Sequence, residues 1–216
     1  MREIGGIITA PAETFLLLSA TPRWKLAAAV VTSGLTALAW LKTCFDKGAL
    51  TFDLVLWGIL FLCLFAMLML VSLFLASFLF LSLRFFTGLT HPDFRVLFAV
   101  SIHTGLIFLL GEVANLVLVR LSILDPSSFP VPHRFPLGLD AFFIGTHVSL
   151  VLAVVLYSIN MFTVWYFMVL SIGISAATGL RRRSCVAIAS SAWFLGVVFV
   201  VSFVLAIGGS SIGVVL

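Results

Sequence analysis

Of the 216 residues, 62% are hydrophobic and 9% are charged, and the mean hydropathy is +1.29. A soluble domain typically carries about 25% charged residues, so this chain cannot cover its own apolar surface in water and is expected to be a polytopic membrane protein. The net charge of +4 does not point to nucleic acid, because the basic residues are scattered through short loops and form no stripe; the positive-inside bias of membrane loops accounts for them.

The opening stretch, "TAPAETFLLLSATPRWK" (9–25), is not expected to be a cleaved signal. Glu3, Pro11 and Glu13 interrupt what would be its apolar core,. Pro11 suits the first position of a short helix, where its missing N–H costs nothing. Glu13 then faces the positive end of the helix dipole, and Ala10 is a poor cap. Residues 11–20 are therefore predicted as a short interfacial helix on the cytoplasmic face. Thr21 and Pro22 are predicted to cap and open the first span, with Arg23, Trp24 and Lys25 as interfacial anchors,.

The predicted spans are about 26–41, 54–83, 95–121, 160–179 and 184–208. In the first, Ala29, Ser33 and Ala37 recur every four residues as a small-residue stripe suited to close helix packing,. The second is rich in Leu and Phe and at ~45 Å is longer than the ~30 Å hydrocarbon core, so it must tilt or project. Its Cys63 is expected to be a small packing residue, and Cys44, Cys63 and Cys185 form neither metal spacing nor a disulfide framework,. No internal repeat of the kind many secondary transporters carry is visible.

Residues 139–179 are either two spans with almost no turn or one span preceded by a half-buried segment. Five spans with a cytoplasmic N-terminus put Arg2, Arg23, Lys25, Arg84, Arg95 and Arg181–Arg183 inside, and Lys42, Lys47, Arg120 and Arg134 outside, eight against four,. Six spans move the triple arginine to the opposite side from Arg23 and Arg84. Five is the better choice, with 141–158 as a re-entrant or interfacial segment. The outer loop 122–138 contains four prolines and is expected to be extended,. Its Asp125, His133 and Arg134 make it either a partner contact or a plain surface connection.

Glu112 is the single acid inside a span, and such a residue is by default a functional candidate,. Ser101, Gly105, Phe108, Glu112 and Asn115 share one helical face, whereas His103 lies nearly opposite Glu112. Glu112 is either structural (protonated, or paired with Asn115 or a group on another helix), a partner or lipid contact, or part of a proton or ion relay. His103 and His147 are expected to be packing residues, since no paired-histidine spacing supports zinc. No nucleophile elbow, phosphate loop or acid pair is present, so catalytic residues, metals and cofactors are not expected.

"GGIITAPAETFLLLSATPRWKLA" resembles the start of bacterial Yip1-domain membrane proteins, through Pro11, Glu13, Phe15 and Trp24; here Arg23 stands between Pro22 and Trp24. "INMFTVWYFMVLSIGISAATGLRRRSCVAI" is similar to a later stretch of the family, through Phe162, Trp165, Gly173 and the Thr178-Gly179-Leu180 turn. "DFRVLFAVSIHTGLIFLLGEV" also resembles the family's third span. The resemblance implies an all-α, five-span helical bundle forming one domain over 1–216, in the bacterial inner membrane with its N-terminus in the cytoplasm. Eukaryotic relatives resemble adaptors that engage small GTPases, but their acidic N-terminal extension is missing here, so GTPase binding is not carried over. Some bacterial relatives resemble accessory subunits of ABC-type exporters.

The leading expectation is a non-enzymatic scaffold or accessory subunit whose partners are lipid, other integral membrane proteins or a second copy. The alternatives are a small proton-coupled carrier using Glu112 and His103, and a lipid-shaping protein whose wedge includes Phe15 and Leu18.

Overall fold

The computed structural model describes residues 2–47, 54–88, 93–121, 126–131 and 134–208. These residues contain no strand and form eight α-helices: α1 (Arg2–Thr9), α2 (Pro11–Ala20), α3 (Lys25–Lys47), α4 (Leu54–Thr87), α5 (Phe94–Leu121), α6 (Leu150–Ser158), α7 (Met161–Thr178) and α8 (Arg182–Gly208). Four of them, α3, α4, α5 and α7, are long and apolar enough to cross a membrane.

Burial follows the logic of a lipid solvent. In α5, 61% of the span window is buried, against 11% in α4, the most apolar of the four. Leu62, Leu70 and Phe74 of α4 are 64–66% exposed. A water-soluble fold would bury its most hydrophobic helix; here hydrocarbon takes that role. The helix at the centre is α5, which touches α1, α2, α3, α4 and α7. Among the described residues it also carries more buried polar side chains than any other helix: Ser101, His103, Thr104 and Asn115.

Pro11 opens α2 with Glu13 in its first turn, and Ala10 makes no side-chain cap bond. Contrary to the alternative of a lipid-facing wedge, Phe15 and Leu18 are fully buried, because α2 docks against α7 and α5. The outward residues are Leu16 and Leu17. The preceding α1 folds back on α2 at a close approach: a Cβ on Gly6 would lie 2.3 Å from Thr14 Oγ1.

Thr21 also departs from expectation. It ends α2 rather than starting the span, its N–H donating to Leu17 O at 3.0 Å and its hydroxyl to the same oxygen at 3.3 Å. Helix α3 begins at Lys25, where the Trp24 carbonyl accepts from Ala28 N.

Phe15 meets α7 at Gly173. A Cβ there would stand 3.2 Å from the Phe15 ring and 2.6 Å from Val100 Cγ1. Glycine is needed for this three-helix contact because nothing larger fits. Gly173→Val is expected to cost about 2 kcal/mol by overpacking, and Val100→Ala in the same chain should restore about half of that. Thermal unfolding in detergent checks both, and additivity of the two changes would count against the contact.

Two expectations about packing are corrected. Ala29, Ser33 and Ala37 are exposed, and α3 packs inward through Ala27, Ala28, Val31 and Gly34 instead. Periodicity identifies a stripe but not which way it turns. Cys63 is exposed on α4, and Cys185 is buried.

The ambiguous stretch 139–158 is a closed excursion. Gly138 and Asn160 form an isolated antiparallel bridge, with Leu139 N donating to Ile159 O at 3.2 Å. Between them run a 3-10 turn (Leu139–Phe143) and α6. With nine residues, α6 is only ~14 Å long, too short for the ~30 Å core. The bridge needs Gly138, because a Cβ there would fall 2.4 Å from Ile159 O. Asn160 then caps α7, its Oδ1 accepting from Thr163 N at 2.9 Å. Gly179 closes the same helix in the left-handed region at φ 71°, where a side chain would be strained,.

Candidate functional site

Glu112 sits nine residues before the end of α5, ~14 Å inside it. Its Oε2 accepts from Lys42 Nζ of α3 at 3.0 Å, and its Oε1 accepts from Arg134 Nη1 at 3.0 Å. The same Nη1 makes a longer contact of 3.4 Å with Tyr157 Oη of α6, and the guanidinium lies 5.4 Å from the Tyr157 ring centre. One turn beyond Glu112, Asn115 Nδ2 donates to Tyr157 Oη and to Phe135 O, both at 3.3 Å. One cluster thus ties α3, α5, α6 and the loop before α6. Each oxygen of the acid meets a cation, which is how an ionised carboxylate is kept at membrane depth.

Charge in the loop follows the same geometry. Burial works against the Arg134 guanidinium, but Glu112 and Tyr157 beside it more than offset that and hold it above its ordinary range. Burial pushes the Asp140 carboxyl up, partly countered by backbone N–H groups of Gly138, Asp140 and Ala141. Asp140 turns into the Gly138 corner, where its Oδ1 accepts from Gly138 N at 3.0 Å. It does not line the cavity beside Glu112.

That cavity has a volume of about 420 Å³ and lies among α4, α5, α6, α7 and α8. Glu112, Arg134, Tyr157, Ser158, Asn160 and Thr163 form a polar end. The rest of the wall is apolar, with Phe74, Phe78, Phe108, Phe162 and Trp193 among its residues.

The face predicted on α5 does not act as one site. Ser101 and Gly105 are buried, Phe108 lies 4.6 Å from the Tyr166 ring centre, and only Phe108 and Glu112 of the five reach the cavity. Glu112 and Asn115 are joined through Arg134 and Tyr157 rather than directly. His103 is buried away from them, its Nδ1 bonded to Ala99 O at 2.8 Å. His147, expected to pack, is exposed. Asp125 and His133 lie outside the described residues.

Lys42 and Tyr157 were not singled out from sequence, and Arg134 was marked as a possible partner contact of the outer loop, not as a partner of Glu112. Lys42 was visible only as an outer-side cation. An acid at membrane depth calls for a cation, and the five-span topology would have narrowed the choice to Lys42, Lys47, Arg120 and Arg134.

The residues that carry the family resemblance gather into contacts. Phe15 meets Gly173, the Trp24 and Phe98 rings are 5.6 Å apart edge to face, and Phe162 covers Gly111 and lies 6.5 Å from Trp165. Phe15 and Gly173, from the two halves of the pattern, thus meet where α2 docks on α7, whereas Trp24 and Phe162 pack against α5.

Helices this apolar, with the most hydrophobic one outermost, define a multi-pass membrane protein,. Residues 5–203 match the Yip1 domain family model, and the chain belongs to that family. No curated protein and no solved structure matches the chain.

Proposed function

We propose that this protein is a non-enzymatic scaffold or accessory subunit of a bacterial membrane complex, with five spans and its N-terminus in the cytoplasm. The observation that carries the reading is the unused side of α3. Ala29, Ser33 and Ala37 are exposed while Ala27, Ala28, Val31 and Leu38 of the same helix are buried where it packs against α4 and α5, and exposed small-residue stripes in membranes seat partner helices. The closed excursion between Gly138 and Asn160 supports five spans over six, since it returns to the level it left. The eight-to-four charge bias supports the orientation,.

A photocrosslinking residue at position 37 should yield an adduct with one membrane protein, whereas the same label at Leu62 on the outer face of α4 should yield lipid adducts. Ser33→Leu is expected to abolish the position-37 adduct and change stability by no more than about 0.5 kcal/mol, as exposed substitutions do. Equal adducts from both positions, or insensitivity to Ser33→Leu, would sink the reading.

The two other readings are less well supported. A carrier needs a hydrated path to Glu112, and the cavity that reaches it is walled mainly by aromatic and aliphatic side chains. A lipid wedge built on Phe15 and Leu18 has both residues covered by protein.

A further inference from the structure

We propose that the cavity beside Glu112 is a binding site for one acyl chain of an anionic phospholipid, whose phosphate is held at Arg134. Three features of the site converge on that occupant.

The first is its depth. On α7 the cavity runs from Asn160 to Leu170, ten residues or ~15 Å, which is half of the ~30 Å hydrocarbon core and so one leaflet deep. Its polar end coincides with the start of α7, where the helix leaves the bilayer.

The second is its side opening. Val71 and Phe74 of α4 line the cavity and yet are 55% and 64% exposed. A groove whose walls also face hydrocarbon is entered laterally from the bilayer rather than from water.

The third is charge. Beside the polar end, among the described side chains, Lys42 and Arg134 face the single carboxylate of Glu112, one positive charge in excess. Asp140, another acid nearby, is turned into the Gly138 corner. The Arg134 bonds to Glu112 and Tyr157 both leave from Nη1, and a guanidinium has five N–H donors arranged as a fork suited to phosphate. Glu112 then serves to orient Arg134 across the mouth. The volume of about 420 Å³ is within the range of ligand sites,.

The test uses the full chain in nanodiscs containing equal amounts of phosphatidylglycerol and phosphatidylcholine, followed by release into native mass spectrometry. One phosphatidylglycerol should be retained per chain in preference to phosphatidylcholine. Arg134→Gln should reduce that preference roughly tenfold, the loss of one charge-assisted contact.

Gly196→Phe should block the cavity and remove retention of either lipid. Gly196 lines the cavity and has no atom within 4 Å of an added Cβ, so this variant fills space without disturbing the Glu112 cluster. It keeps the test decisive if Arg134→Gln fails to fold. Equal retention of the two lipids by the unmodified chain, or unchanged retention in Gly196→Phe, overturns the proposal. So does conversion of a dimer to a monomer by Gly196→Phe with lipid retention intact, because the groove would then hold a helix of a second copy.

Discussion

Gly138→Ala is expected to open the excursion between the outer loop and α7. The added methyl would fall 2.4 Å from Ile159 O and 3.0 Å from Leu156 O, both backbone atoms that no rotamer change can move. Relief requires the bridge itself to separate, which takes with it the Leu139 N to Ile159 O bond. The expected cost is about 3 kcal/mol, at the upper end for an added methylene group because the obstacle is main chain. Amide exchange at Leu139 should accelerate by about a hundredfold at that cost. Thermal unfolding in detergent should show a matching loss, while helix content before the transition stays unchanged. Unaltered protection at Leu139 would mean that the bridge does not hold the excursion closed.

Glu112→Gln should also produce a large loss, for an electrostatic reason. The substitution leaves Lys42 and Arg134 without their shared counter-charge and turns an amide N–H₂ toward one of them. Breaking a fully buried pair costs about 3–5 kcal/mol, but the Lys42 and Arg134 side chains remain 37% and 42% exposed. Solvent screening reduces the expectation to about 2 kcal/mol.

A double-mutant cycle separates charge from packing. Lys42→Met combined with Glu112→Gln should cost about 1 kcal/mol less than the sum of the two single changes, because removing the stranded cation relieves part of the penalty. Strict additivity would show that Lys42 and Glu112 are neighbours without being coupled. The same variant bears on the carrier reading, which requires Glu112 to exchange a proton rather than to anchor two cations.

Several elements could be read from the residues with little ambiguity. Composition alone excluded water as the solvent, because 9% charged residues cannot cover a chain of this size. Pro11 and Glu13 announced α2 through the chemistry of a helix start, and the Thr178-Gly179 pair announced the end of α7, since glycine adopts the left-handed cap without strain,. The long apolar runs announced α4, α5 and α7 because apolar length is what a bilayer selects,. The family pattern was also legible, in residues whose role is contact between helices.

Direction and partnership were decided only in three dimensions. The stripe of Ala29, Ser33 and Ala37 has the right period for packing, yet it turns outward, because a period of four says nothing about which side of a helix its neighbours occupy. Phe15 and Leu18 have the pattern of a surface wedge and are instead the seat of α2 on α7. Glu112 stood out as an acid in a span, but its partners come from positions 70 residues before it and 22 after it. Ionic attraction at membrane depth selects whichever cation the helix arrangement brings within 3 Å or so, and no local pattern encodes that. From its own residues the chain determined its solvent and its long apolar helices and marked Glu112 as the acid within a span; the bundle decided which surfaces remain free and which charges meet.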